Sequence, residues 1–249
     1  METLVKQTRE VGTSAGVLLP RRWLNKQVVV TLFSPSNKEI ASDVLNILFK
    51  NNLNEDVKGI YLIGSHARGD YASDSDIDVL VLTKEKNKLI DSGMYEIILV
   101  SEQNFLKDLS NSLYYISILK EAKPIINKDL IERYSKDKII LKSKRILNEI
   151  GKMVKINKET IKLCLDNNMK VPDGIVYSIV LRLRELYLIK DLVSGKMYSR
   201  KDFIKLTGEK VYSAYSRIKR DEKEIDDTSP DEILNLMNLS EKWLKELKE

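Results

Sequence analysis

The sequence predicts a mixed α/β (α+β) core, preceded by a small β-hairpin domain and followed by an all-α C-terminal domain. Three observations carry this. Apolar runs of strand length alternate with helix-periodic stretches between residues 37 and 128. Residues 1–36 break into short strand-sized pieces separated by Gly and Pro. From residue 129 to 249, apolar residues recur every three or four positions. These three stretches are the expected domains.

Each element has a local reason. In the first stretch, Leu4–Thr8, Val17–Leu19 and Val28–Phe33 read as strands, with Gly12–Gly16 as the break and Pro20 as a stop. A unit this short buries too little by itself, so it should pair with a second copy or lean on the rest of the chain. In the middle, Ser36 or Asn37 caps a helix carrying Ile40, Val44, Leu45, Ile47 and Leu48. Gly59–Ile63, Ile77 with Val79–Leu82, and Tyr95–Val100 read as strands. Ser101 caps a helix to Leu109, and Pro124–Ile126 reads as an edge strand. In the last stretch a periodic run from Ile139 to Leu165 stops at Asn167–Asn168. Asp173 starts a helix to Val193, and shorter helices follow Ser199 and span Glu209–Arg220. Ser229-Pro230-Asp231-Glu232 opens a final helix.

Composition narrows the function. Hydrophobic residues are 43% and charged residues 32%, as in ordinary globular proteins. No run approaches the ~20 apolar residues of a membrane span, and the polar start lacks the pattern of a secretory signal. A cytoplasmic protein that does not engage membranes is expected. The lone Cys164 excludes an internal disulfide framework, and the lone His66 excludes histidine triads and multi-histidine metal sites. The net charge of +5 is uneven, being +3 over residues 1–36, −3 over 37–128 and +5 over 129–249. An acidic centre suits metal ions, and basic flanks suit polyanions.

The stretch from Ile63 to Val81 carries the chemistry. Gly64 and Ser65 lie where one apolar strand ends; glycine admits close backbone approach, and serine offers a hydroxyl and an N–H. Arg68 lies a helical turn further on and can point at the same anion. Asp76 and Asp78 stand at i and i+2, so a strand places both carboxylates on one face, with Ile77 turned into the core. Such a pair is costly unless a cation joins it, and Mg²⁺ with phosphate oxygens is the natural partner. Glu96, inside the apolar run Tyr95–Val100, is the candidate third carboxylate. It would help deprotonate a hydroxyl nucleophile, or else face water on an edge strand. Asp70 and Asp74 are expected to be solvated or capping, and His66 to pack or cap.

Gly64-Ser65, ten intervening residues and then Asp76-Ile77-Asp78 resemble the signature of the DNA polymerase beta-type nucleotidyltransferases. The form Gly-Ser-His-Ala-Arg-Gly followed by Ser-Asp-Ile-Asp is most similar to the minimal nucleotidyltransferases. The resemblance implies that Gly64 and Ser65 hold a nucleoside triphosphate, with ATP the first choice. It implies two Mg²⁺ ions on Asp76 and Asp78, with Glu96 as the third acid and Arg68 offsetting phosphate charge. The implied reaction is attack of an acceptor hydroxyl, on a protein, an RNA or a small molecule, at the α-phosphate. Pyrophosphate is released.

Val11–Leu24 followed by Val28–Val30 resembles the AbrB/SpoVT swapped-hairpin domains. That implies an intertwined homodimer and makes Arg9, Arg21 and Arg22 candidate DNA phosphate contacts. A competing reading is therefore a DNA-binding regulator whose nucleotidyltransferase fold only senses nucleotide or is inactive. In the helical stretch, Arg182 and Arg184 beside Tyr177 and Tyr187 could line a substrate groove. Tyr198, Tyr212 and Tyr215, with Arg217, Lys219 and Arg220, could stack on nucleic-acid bases. Aromatic residues at helical spacing more often simply pack a core.

Overall fold

A computed structural model describes residues 4, 6, 8–30, 35–72, 75–136 and 141–249. The chain forms two units, Met1–Pro35 and Ser36–Glu249.

In the first unit, β1 (Arg9–Val11) pairs antiparallel with β2 (Ser14–Gly16) around Gly12, whose φ of +59° makes the tight turn. A single 3₁₀ turn follows at Arg21–Trp23. The hairpin thus sits on the expected break itself. Val17–Leu19 and Val28–Val30 are not strands, and neither are Leu4, Lys6 and Thr8. Val5, Gln7 and Thr31–Phe33 lie outside the described residues. The physical reason is partnership: β-branched residues favour a pleat only where a neighbouring strand and a core receive them. Here Val29 and Val30 are 94% and 77% exposed.

The second unit is built on a five-stranded sheet of order β5-β6-β4-β3-β7. Its strands are β3 (Val57–Leu62), β4 (Ile77–Thr83), β5 (Lys88–Ser92), β6 (Tyr95–Ser101) and β7 (Lys123–Ile126). β4 and β6 run parallel, and the other pairs are antiparallel. β7, which carries Pro124, is an edge strand as the sequence expects.

Alternation sorts the strand residues between two faces. Ile60, Leu62, Ile77, Val79, Val81, Ile97 and Leu99 pack with Ile40, Val44 and Leu48 of α1 (Asn37–Lys50). Ser36 caps α1 in a reciprocal pair with Glu39. Tyr61, Ile63, Leu80, Leu82 and Val100 face the other way, onto α3 (Glu102–Leu109), α4 (Leu113–Glu121) and α5 (Lys128–Lys136). Between β3 and β4 lies the five-residue α2 (Gly64–Arg68), stopped by Gly69 at φ +81°.

The C-terminal helices are α6 (Ser143–Asp166), α7 (Asp173–Val193), α8 (Arg200–Thr207), α9 (Glu209–Lys219) and α10 (Pro230–Glu246). They share a core centred on α7, with Val176, Ile179, Val180, Leu183 and Leu186 buried. The expected start at Ile139 lies outside the described residues, and α6 begins at Ser143. Ser229 and Glu232 close a second capping box on α10, with Pro230 in its first turn. Among the described residues, no helix is long and apolar enough to cross a membrane.

One ion pair staples this bundle. Asp173, fully buried, takes both Arg217 nitrogens at 2.7 and 3.0 Å and accepts the Ile225 N–H at 3.1 Å. Asp226 in turn accepts the Asp173 N–H at 2.7 Å. Arg217 therefore holds the loop before α10 and is not available to nucleic acid. Removing the carboxylate leaves a shielded guanidinium and an orphaned N–H. Asp173→Ala should cost about 3–5 kcal/mol in urea unfolding, whereas Asp231→Ala on the exposed start of α10 should stay within about 0.5 kcal/mol.

Candidate active site

The site forms where the β3–α2 turn meets the start of β4. Gly64, at φ +66°, lies directly on the Asp78 side chain. A Cβ at this position would lie 3.0 Å from the Asp78 Cγ and closer still to its Oδ2. Glycine is therefore required twice, for the turn and for the space. The Ile63 N–H donates to the Asp78 carbonyl at 3.0 Å, which fixes the approach.

The parallel β4–β6 ladder sets Asp78 opposite Glu96, and the residue pairing places both side chains on one face of the sheet. Asp76 lies two residues earlier and is exposed, while Asp78 is partly buried. Burial, then the Glu96 charge, push the Asp78 carboxyl up to about 6; Asp76 adds to this, and Lys219 and Arg68 oppose it. Glu96 thus bears on Asp78 electrostatically, not on open water alone. Among the described residues, no three or more acidic, histidine or cysteine side chains already converge as a metal cage.

Arg68 is already engaged. Its Nη1 donates to Glu121 Oε2 at 2.6 Å, and its Nε reaches Asp70 at 3.2 Å. Burial works against its charge, but Glu121 and Asp70 more than offset that and hold it protonated. Glu121 Oε1 also accepts the Gly64 N–H at 3.1 Å. The last residue of α4 therefore bridges two groups in which the sequence analysis sees phosphate ligands. Ser65 is partly buried beside them, and its carbonyl accepts the Gly69 and Asp70 N–H groups.

Asp70 takes the capping alternative: besides Arg68 it accepts the Arg200 N–H at 3.1 Å, at the start of the distant helix α8. Asp74 lies outside the described residues. His66 packs as expected, stacked on Tyr71 with centroids 4.2 Å apart and Nε2 3.3 Å from the Ser75 carbonyl. Burial lowers its pKa.

The helical half reaches the same place. Tyr198 carries the Arg68 guanidinium at 5.2 Å from its centroid and that of Arg184 at 5.1 Å. Lys219, at the end of α9, acts on Asp78. Tyr114, on α4, has its hydroxyl raised by burial and then by Asp78, Glu96 and Glu121, which places it among the acids. Tyr177, Tyr212 and Tyr215 pack on one another with centroids 5.2 and 5.6 Å apart, so the bland expectation of core packing describes them. Sequence reasoning missed Glu121 and Tyr114, because neither belongs to a motif. A carboxylate closing a mainly apolar helix was the available signal for Glu121. Arg9, Arg21 and Arg22 belong to the separate N-terminal unit, where all three are exposed.

Residues 43–157 match the family model described as a nucleotidyltransferase domain. The match takes in the sheet, the Gly64 turn and Asp76 to Glu96. A Methanocaldococcus jannaschii protein provisionally named a protein adenylyltransferase is 48% identical over 48 residues. The match spans 19% of this chain and 43% of that relative's length. A crystal structure of a nucleotidyltransferase-like protein from Exiguobacterium sibiricum aligns with 83% of this chain and 75% of its own, at 14% identity and TM-score 0.34.

The raised Asp78 carboxyl has a stability consequence. The unfolded chain ionises it near its ordinary value of 3.8 and the folded chain near 6. The native state therefore bears no penalty below about pH 4, a growing one between, and the full one above about 6. Asp78→Asn should stabilise the free protein by up to about 3 kcal/mol at pH 8 and by nothing at pH 4. Urea midpoints across that range measure it.

Proposed function

We propose that the protein transfers a nucleoside monophosphate, AMP from ATP by first choice, to an acceptor hydroxyl. The observation that supports this reading best is the Asp78 carboxylate lodged against the Gly64 turn and set opposite Glu96. A carboxyl pushed up by burial and by a neighbouring acid lacks a cation, and oxygen donors of this kind suit Mg²⁺. Asp76, Asp78 and Glu96 would hold the metal, two ions in this reading. When bound, it stabilises charge on the attacking and leaving oxygens.

The chain's own groups do the rest. Gly64 and Ser65 bind the triphosphate through backbone N–H and hydroxyl. Arg68 offsets phosphate charge once Glu121 yields its place, a carboxylate exchanged for a phosphate on the same donors. Glu96 takes the acceptor proton as the new O–P bond forms and the bond to pyrophosphate breaks. Protein side chains, RNA ends and small molecules are all hydroxyl acceptors of the right chemistry; the partial likeness to a provisional protein adenylyltransferase favours a protein.

The N-terminal unit fits self-association. A two-stranded hairpin is marginal alone, and Leu18, Leu24, Val29 and Val30 are each more than 70% exposed. Its arginines Arg9, Arg21 and Arg22 give the competing reading of a DNA-binding regulator a surface to use.

Two measurements test these readings. Radiolabelled ATP with Mg²⁺ and cell extract should label an acceptor, and Asp76→Ala with Asp78→Ala should lower the label at least about 100-fold; undiminished label removes both residues from the mechanism. Val29→Lys with Val30→Lys should convert a dimer to a monomer in sedimentation equilibrium. A monomeric parent protein sinks the self-association.

A further inference from the structure

The helical half holds a cation that has no carboxylate ion-pair partner among the described residues. Arg184 projects from α7, the central helix of its bundle, and its Nε is shielded from water with no hydrogen-bond partner. Its polar partners are phenols: Nη1 donates to the Tyr215 hydroxyl at 3.4 Å, and Tyr198 offers its hydroxyl and its ring. The nearest carboxylate in sequence, Glu185, gives both oxygens to Arg182, at 2.7 and 2.9 Å. Among the described residues no carboxylate forms an ion pair with Arg184. A shielded guanidinium answered only by neutral hydroxyls costs stability and is retained where an anion arrives.

Its position says where that anion sits. Arg184 and Arg68 lie on the same Tyr198 ring, and the Tyr198 segment is tied to the α2 turn through Arg200 N–H and Asp70. Arg68 is ion-paired with Glu121 and Asp70; Arg184 has no such pair among the described residues. On the helical side Lys219 acts on Asp78, as Arg68 does, and Arg184 reaches this place through the Tyr198 ring that it shares with Arg68.

We propose that Arg184 is a phosphate-binding residue, supplied by the helical half of the fold to the site beside Asp78. This rests on the nucleotidyltransferase reading for the identity of the phosphate. It assigns α7 a role in substrate recognition as well as in packing. Guanidinium geometry suits the task, since its fork takes two phosphate oxygens at once.

The test uses the full-length protein, with Arg184→Met and Arg184→Lys. Calorimetric titration without metal compares pyrophosphate, ATP and AMP, and melting is followed with and without pyrophosphate. Arg184→Met should weaken pyrophosphate and ATP at least about tenfold and leave AMP little changed. It should also melt higher than the parent when no anion is present, an outcome that a packing or structural role does not give. Arg184→Lys, which keeps the charge and loses the fork, should fall between. Equal pyrophosphate affinity in parent and variants overturns the proposal, as does a lower ligand-free melting temperature for Arg184→Met. Should pyrophosphate bind through Arg184 while ATP does not bind at all, the phosphate site stands and the nucleotide reading falls.

Discussion

The contact of the Gly64 backbone with the Asp78 carboxylate is the constraint on which the rest depends. It exists because β3 and β4 pair antiparallel, so the end of one strand lies beside the start of the next. A side chain at position 64 has no room, and the turn needs a positive φ. The parallel neighbour β6 then brings Glu96 level with Asp78. Three strands thus concentrate negative charge beside a turn suited to phosphate. The same arrangement makes the empty-handed carboxylate costly, which is the usual trade between stability and function at such sites.

A second network ties the sheet to the helices. Glu121 spans Gly64 and Arg68; Asp70 spans Arg68 and the start of α8; Tyr198 receives two guanidinium groups. These are partly buried groups in close contact, so each is worth more than a surface ion pair. Together they couple the α2 turn to α4, α7 and α8. A change in what occupies the turn is therefore felt on both sides of the site.

Much of the second unit was legible in the sequence. Continuous apolar runs of strand length marked β3, β4 and β6, and capping residues marked α1, α3 and α10, because burial and end-satisfaction act locally. The Gly64–Asp78 motif could be read because its residues are close in the chain. The N-terminal strands were misplaced because Val28–Val30 has strand propensity but no partner to realise it. The roles of Glu121 and Tyr114 and the meeting of Arg184 with Tyr198 were not legible, because these residues lie 36 to 120 positions from Asp78 in sequence.

Local chemistry alone thus determined the type of most elements in the second unit, the carboxylate pair at 76 and 78, and the glycine turn that faces it. Tertiary structure alone decided that Glu96 stands level with Asp78, that Arg68 is held by Glu121 and Asp70, and that Arg184 shares the Tyr198 ring with Arg68. The reason is one of range. Backbone preference and alternation act over a few residues, whereas charge pairing depends on which distant strands and helices come together in space.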